Sequence, residues 1–253
     1  MHSVPPVKDS VIDPRELAER IEAAAPAAAF RVERFGEIAG VPLLALTKRT
    51  SGVRPRIYLS AGIHGDEPAP PLALLDLLER RAFDDRAVWF ICPLLNPAGF
   101  LRRTRENAEG IDLNRDYKAL RSGEIQAHAG WLQRQPNFDL ALCLHEDWES
   151  TGYYLYELNP TQRPSLARAM IEAAANACPV ETATVIDGRT IAEPGIIRPV
   201  TDPLLRELWP ESIYLRAHHT TLSYTLESPS ALPLAQRVAA HRAAIETAIA
   251  RLR

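Results

Sequence analysis

The apolar positions of the chain follow two patterns: short unbroken runs bounded by turn residues, and longer stretches that repeat with helical spacing. Arg56-Ile57-Tyr58-Leu59-Ser60-Ala61-Gly62-Ile63 is a run of the first kind. It shows little alternation, as expected of a strand buried on both faces, and it ends at His64. Ala87-Val88-Trp89-Phe90-Ile91-Cys92 predicts a second buried strand, broken by Pro93 and followed by the turn-rich Asn96-Pro97-Ala98-Gly99. A third, Phe138-Asp139-Leu140-Ala141-Leu142-Cys143-Leu144, ends at His145, and the shorter strand Ser223-Tyr224-Thr225-Leu226 leads directly into Glu227. Near the N-terminus, β-type runs at Phe30 to Phe35 and Val41 to Thr47 flank a turn, Gly36 to Gly40, and predict a hairpin.

Helical signals alternate with these strands. Asp13-Pro14 is an N-cap followed by proline at the first helical position, and it opens a Glu-, Leu- and Ala-rich segment to Ala25. Pro68, Pro70 and Pro71 start a second helix, with Leu72, Leu74, Leu75, Leu77 and Leu78 as its apolar face and Glu79-Arg80-Arg81 as its stop. Alanine-rich helices are expected at Pro164 to Ala177 and Leu234 to Leu252. Residues 187 to 203, with Gly188, Pro194, Gly195, Pro199 and Pro203, read as a long irregular loop and a candidate wall of a functional site. The alternation predicts an α/β fold: a mixed, mostly parallel twisted sheet with helices on both faces. No repeat or composition shift divides the chain, so residues 1–253 are read as one catalytic domain.

Composition narrows the function classes. An apolar content of 46% is ordinary for a globular core, and a net charge of −3 gives no reason to expect a nucleic-acid partner. Cys92, Cys143 and Cys178 are odd in number and widely spaced, which favours a reducing compartment over a disulfide framework. There is no signal-peptide pattern and no stretch of about 18 apolar residues, so a soluble cytoplasmic protein without a membrane partner is expected.

The candidate chemistry collects at the predicted strand ends, where ligands bind in open α/β sheets. His64 and Glu67, three positions apart in a turn, can face one point, and imidazole nitrogen with carboxylate oxygen suits zinc. A catalytic zinc site needs a third protein ligand, and His145 ends another buried strand. Of the other histidines, His2 and His241 are placed in surface or terminal segments, His128 in a helix before Trp131, and His218 and His219 behind the ligands or at the rim of the site. Glu227 is the candidate general base, because desolvation at the end of an apolar strand raises a carboxyl pKa towards the working range. Between strands, residues 102 to 117 concentrate Arg102, Arg103, Arg105 and Arg115 with Asn107 and Asn114. Guanidinium forks and amide donors there suit a clamp for an anionic substrate end.

His64-Gly65-Asp66-Glu67, Asp112-Leu113-Asn114-Arg115, His145 and Glu227, in that order over about two thirds of the chain, resemble the zinc carboxypeptidase superfamily. This superfamily comprises carboxypeptidase A-like enzymes, murein peptide amidases and the succinylglutamate desuccinylase and aspartoacylase branch. The resemblance implies a carboxypeptidase-like (phosphorylase/hydrolase-like) architecture and one Zn2+ per chain on His64, Glu67 and His145, with Glu227 as base and proton shuttle. It also implies that Asn114 and Arg115 bind the substrate carboxylate and that an upstream arginine polarises the scissile carbonyl, with Arg105 preferred and Arg102 second. The chain departs from the pattern at Asp116, after the Asn-Arg pair, and at Glu146-Asp147-Trp148, after His145. No position is assigned to the tyrosine that closes over substrate, for which Tyr153, Tyr154, Tyr156 and Tyr214 all qualify.

The resulting expectation is a zinc metallo-carboxypeptidase or peptide amidase acting on a small peptide, with an N-acyl amino acid deacylase as the alternative. The reading of another class is a non-catalytic zinc-binding module, which predicts a missing ligand or base, and none is missing. Arg189, Arg198 and Arg216 near the long loop point towards acidic substrates, and oligomeric state has no signature in the chain.

Overall fold

The predicted hairpin forms from β1 (Arg31–Ile38) and β2 (Val41–Lys48), paired antiparallel with a bulge between Arg34 and Gly36. It packs onto the edge of a core sheet through antiparallel pairing of β2 with β4 (Val88–Cys92). The core strands β3 (Arg56–Ser60), β4, β5 (Leu140–Asp147) and β10 (Ser223–Pro229) run parallel to one another. β6 (Tyr154–Leu158) pairs antiparallel with β10, and β9 (Ile196–Ile197) closes the far edge. The order across the sheet is β1-β2-β4-β3-β5-β10-β6-β9; a separate small hairpin joins β7 (Val185–Ile186) to β8 (Arg189–Thr190). This computed structural model describes residues 12–191 and 193–251, so His2 and the expected helix end at Leu252 lie outside the described residues.

The unbroken apolar runs are explained by two-sided burial. In β5, Leu140, Leu142 and Leu144 enter one hydrophobic cluster while Ala141 and Cys143 enter another. The first cluster is covered by α1 (Pro14–Ala27), α2 (Ala69–Glu79), α5 (Ala167–Ala174) and α7 (Leu234–Ala250). The second is covered by α4 (Gly123–Leu132) and α6 (Glu211–His218), which contribute Ile125, Trp131, Tyr214 and Leu215. Helices therefore lie on both faces of a mostly parallel mixed sheet, as the alternation predicts. Asp13 caps α1 by accepting the Arg15 N–H at 2.8 Å.

Several local expectations are corrected. Asn96 to Gly99 is no simple turn: Asn96 caps a short helix, α3 (Pro97–Arg102), accepting the Gly99 N–H at 2.8 Å. β5 and β10 do not stop before His145 and Glu227 but run through them to Asp147 and Pro229. His241 is fully buried on α7 rather than at the surface. The segment 187–203 contains β8 and β9, and β6 and α6 stand where no element was expected. Among the described residues, no helix is long and apolar enough to cross a membrane.

One close approach fixes the loop that follows β3. A Cβ on Gly65 would lie 1.9 Å from the Gly99 carbonyl carbon, closer than any side chain permits. Asn96 holds the same region, donating through Nδ2 to the Ile63 carbonyl at 3.2 Å, and Gly65 N–H donates to the Thr104 carbonyl at 3.0 Å. Gly65→Ala should therefore push the His64 loop off α3 and destabilise the fold by about 3 kcal/mol, measured by denaturant unfolding.

Candidate metal centre and substrate cavity

The parallel strands bring their C-terminal ends to one cavity of about 590 Å3. His64 and Glu67 come from the turn after β3, and His145 comes from β5, one strand away. β10 lies beside β5 with Glu227 opposite His145 in the register, so their side chains share the cavity face. His64, Glu67 and His145 are 1%, 3% and 3% exposed, and one ligand atom from each lies within 4.8 Å of the others. Each oxygen of Glu67 meets one imidazole: His64 Nδ1 at 2.6 Å and His145 Nδ1 at 3.1 Å.

The far sides of these rings are also held. His64 Nε2 lies 3.3 Å from Asp112 Oδ1, and Arg105 Nε donates to Asp112 Oδ2 at 3.0 Å. Arg105 Nη1 stands 3.2 Å from His64 Nδ1 and 3.7 Å from Glu67 Oε1. The Asn114 amide is oriented by its oxygen, which accepts the Glu211 N–H at 2.9 Å, so that Nδ2 comes 3.5 Å from His145 Nε2. Arg115 lines the same cavity and donates to the Asn114 carbonyl at 2.9 Å.

The two cavity glutamates differ in their electrostatics. Burial alone would push the Glu67 carboxyl up, but the imidazoles of His64 and His145 hold it well below the usual carboxylate range. Burial pushes His64 down, yet Glu67 and Asp112 override it and raise the ring to about 9. His145 is lowered by burial, with Glu67 opposing. Glu227 is raised well above its ordinary value, first by burial and then by the negative charges of Glu67 and Asp147. Two imidazoles and a buried carboxylate form a donor set suited to a divalent cation, and their convergence fits the metal that the sequence pattern implies.

Other expectations separate. Arg102 lies away from the cavity, donating to the Ala108 carbonyl at 2.7 Å, whereas Arg105 lines it. His218 and His219 do not form the rim: they sit in a second recess with Trp209 and Tyr214. Tyr154 and Tyr156 line the cavity, their hydroxyls donating to Asp147 and Asp187 at 2.9 Å; Tyr153 is buried against His241 and Tyr214 faces the second recess. Asp116 is structural, accepting the N–H groups of Arg121 and Ser122 at 2.8 Å. The 187–203 loop does form a wall, through Asp187, Arg189, Pro199 and Thr201. Of the three arginines near it, only Arg189 lines the cavity; Arg198 binds Glu157.

Sequence reasoning missed Asp112, Glu211, Arg206 and Glu181. Asp112 was visible within the Asp-Leu-Asn-Arg segment, but its partner His64 is 48 positions away. Arg206 joins Arg115 and Arg189 in one wall: burial, then these two guanidiniums, push its pKa down. Glu181 ties the rim together by accepting from Ser150 Oγ at 2.9 Å, Thr151 N at 3.0 Å and Gly152 N at 3.2 Å. Glu181→Ala should leave the core intact but raise amide hydrogen exchange at Thr151 and Gly152 by roughly tenfold or more, read by mass spectrometry.

The family model for the succinylglutamate desuccinylase/aspartoacylase catalytic domain matches residues 53–250. No protein of curated function matches the chain. Among solved structures, a protein of Shewanella amazonensis SB2B described provisionally as a metallopeptidase superimposes with a TM-score of 0.82 at 25% identity, over 95% of this chain and 93% of that one. A metallo-carboxypeptidase from Burkholderia cenocepacia gives a TM-score of 0.69 at 21% identity, over 92% of this chain and 67% of that one. One from Pseudomonas aeruginosa, in complex with (2-guanidinoethylmercapto)succinic acid, gives 0.64 at 20% identity, over 91% and 66%. These last two likenesses are of fold. With residues 53–250 matched, the chain belongs to the succinylglutamate desuccinylase/aspartoacylase catalytic domain family of hydrolytic enzymes.

Proposed function

We propose that this chain is a zinc-dependent amidohydrolase that cleaves an amide bond next to a substrate carboxylate, acting as a carboxypeptidase or peptide amidase on short peptides. The observation that carries this reading is the convergence of His64, Glu67 and His145 in one cavity with Glu227, Arg105, Asn114 and Arg115. The described residues then form one catalytic domain. Cys92, Cys143 and Cys178 are buried and unbridged, which fits a cytoplasmic enzyme.

Bound zinc would supply Lewis acidity and lower the pKa of water at the site. His64, Glu67 and His145 would hold it, with Asp112 fixing the His64 ring. The substrate carboxylate docks on the Arg115 guanidinium and the Asn114 amide, whose oxygen is engaged by the Glu211 N–H so that its Nδ2 is presented on the cavity side, near His145. Arg105, braced by Asp112, stands beside His64 and Glu67 and offers positive charge to the carbonyl oxygen as it gains electrons. Glu227 takes the proton of the attacking water and delivers it to the leaving nitrogen, a role matched to its raised pKa. Arg189 and Arg206 extend the positive wall and favour substrates with a second anionic group.

The family match favours a second reading, hydrolysis of an N-acyl amino acid with the same machinery. The cavity, at about 590 Å3, has room for a dipeptide as well as an acyl amino acid. Zinc-loaded protein incubated with dipeptides beside N-acyl amino acids, with products identified by mass spectrometry, separates the two; hydrolysis of neither class sinks both. Glu227→Gln should retain zinc by elemental analysis while kcat falls roughly 100- to 10,000-fold. Arg115→Ala should lower kcat/KM by roughly 100-fold, chiefly through KM, and unaltered kinetics would remove Arg115 from the carboxylate site.

A further inference from the structure

Helix α7 reaches beneath the site with two buried polar residues one turn apart. His241 places Nε2 3.0 Å from Ser228 Oγ and Nδ1 3.2 Å from the Tyr153 hydroxyl. Arg237 donates through Nη1 to Glu146 Oε2 and through Nε to the Leu232 carbonyl at 2.8 Å. The other oxygen of Glu146 accepts the Ala69 N–H, at the start of α2, at 2.6 Å. Each contact falls beside a residue of the cavity: Ser228 follows Glu227, Glu146 follows His145, and Ala69 comes two positions after Glu67.

A buried ion pair is a poor device for stability alone. The side chains of Glu146 and Arg237 are 0% and 2% exposed, and the cost of taking both charges out of water offsets their attraction. Apolar residues of similar volume would fill the space between α2, α7 and β5 as well. Direction is what the carboxylate adds, since one oxygen is committed to the start of α2 and the other to a guanidinium on α7. Successive side chains of a strand point to opposite faces, so holding Glu146 towards α2 and α7 fixes the direction in which His145 enters the cavity. The Ala69 bond ties the segment carrying Glu67 to the same carboxylate.

We infer that Glu146 and Arg237 are positioning residues for the metal centre: their buried pair sets the separation between the His145 strand and the Glu67 turn. The inference rests on the metal-binding reading above. Arg237 lies outside the cavity, and Glu146, which borders it, has both carboxylate oxygens committed to Arg237 and Ala69, so both act through the ligands.

The test is zinc affinity, by competition with a chromophoric chelator, together with the melting temperature of metal-stripped protein. The variants are Glu146→Gln, Arg237→Met, the double variant and Arg237→Lys. Glu146→Gln keeps an acceptor for Ala69 N–H, and Arg237→Met keeps the apolar stem. Either change should weaken zinc binding roughly 10- to 100-fold, and Arg237→Lys should recover part of the loss. The double variant, which removes both charges of the buried pair together, should melt close to the parent when metal-free yet still bind zinc weakly, a combination that a purely structural role does not produce. Parent-like zinc affinity in the double variant, or an affinity loss accompanied by a matching loss of metal-free stability, overturns the positioning role. A parent that takes up no zinc overturns the metal reading and this inference together.

Discussion

The site is organised around a buried carboxylate. Glu67 is almost wholly removed from water, and an ionised carboxyl there requires compensation from every side. The fold supplies His64 from the same turn, His145 from the neighbouring strand and Arg105 from the segment that follows α3. Arg105 and His64 are in turn held by Asp112, so that charges of opposite sign alternate from Arg105 through Asp112 and His64 to Glu67, whose second oxygen meets the His145 ring. Chain segments far apart in sequence must meet for this alternation to close. A cation at the centre would join a set already organised around negative charge.

Glu227 occupies the same cavity with the opposite electrostatic fate. Burial first, and then the negative charges of Glu67 and Asp147, outweigh the opposing charge of Arg105, so the Glu227 proton is retained to higher pH while Glu67 stays ionised. Two carboxyl groups whose environments push their pKa values apart are suited to different tasks, one to bind a cation and the other to move a proton. The separation comes from strand register: His145 and Glu227 lie side by side on β5 and β10, and Glu67 reaches the centre from the β3 turn.

The core was legible because its strands are buried on both faces, and β3, β4 and β5 show this as unbroken apolar runs. The Asp-Pro start of α1 and the proline-marked start of α2 were legible for local reasons: Asp13 caps its own first turn, and proline suits the first turn of a helix. His64, Glu67, His145, Glu227, Arg105, Asn114 and Arg115 could be named together because each belongs to a short recognisable segment, and the structure gathers them in one cavity. Partners defined only across space were not legible. His241 looked like a surface residue because α7 carries polar groups on more than one face, and only packing reveals that Ser228 and Tyr153 receive it. β6 was hidden by its mixed composition, since Tyr156 and Glu157 face quite different surroundings, and α6 by its short length and proline entry.

The rim is assembled differently from the floor. The residues around Glu67 are fixed by strand pairing and by the backbone contact of Gly65 with Gly99, whereas residues 148–152 are fastened to the 181–183 segment largely through the single carboxylate of Glu181. Mutational drift is therefore unevenly tolerated across this molecule. Substitutions and insertions in the rim can accumulate while the floor persists, and lineages built on the same floor can diverge in what they admit without first having to rebuild what lies beneath.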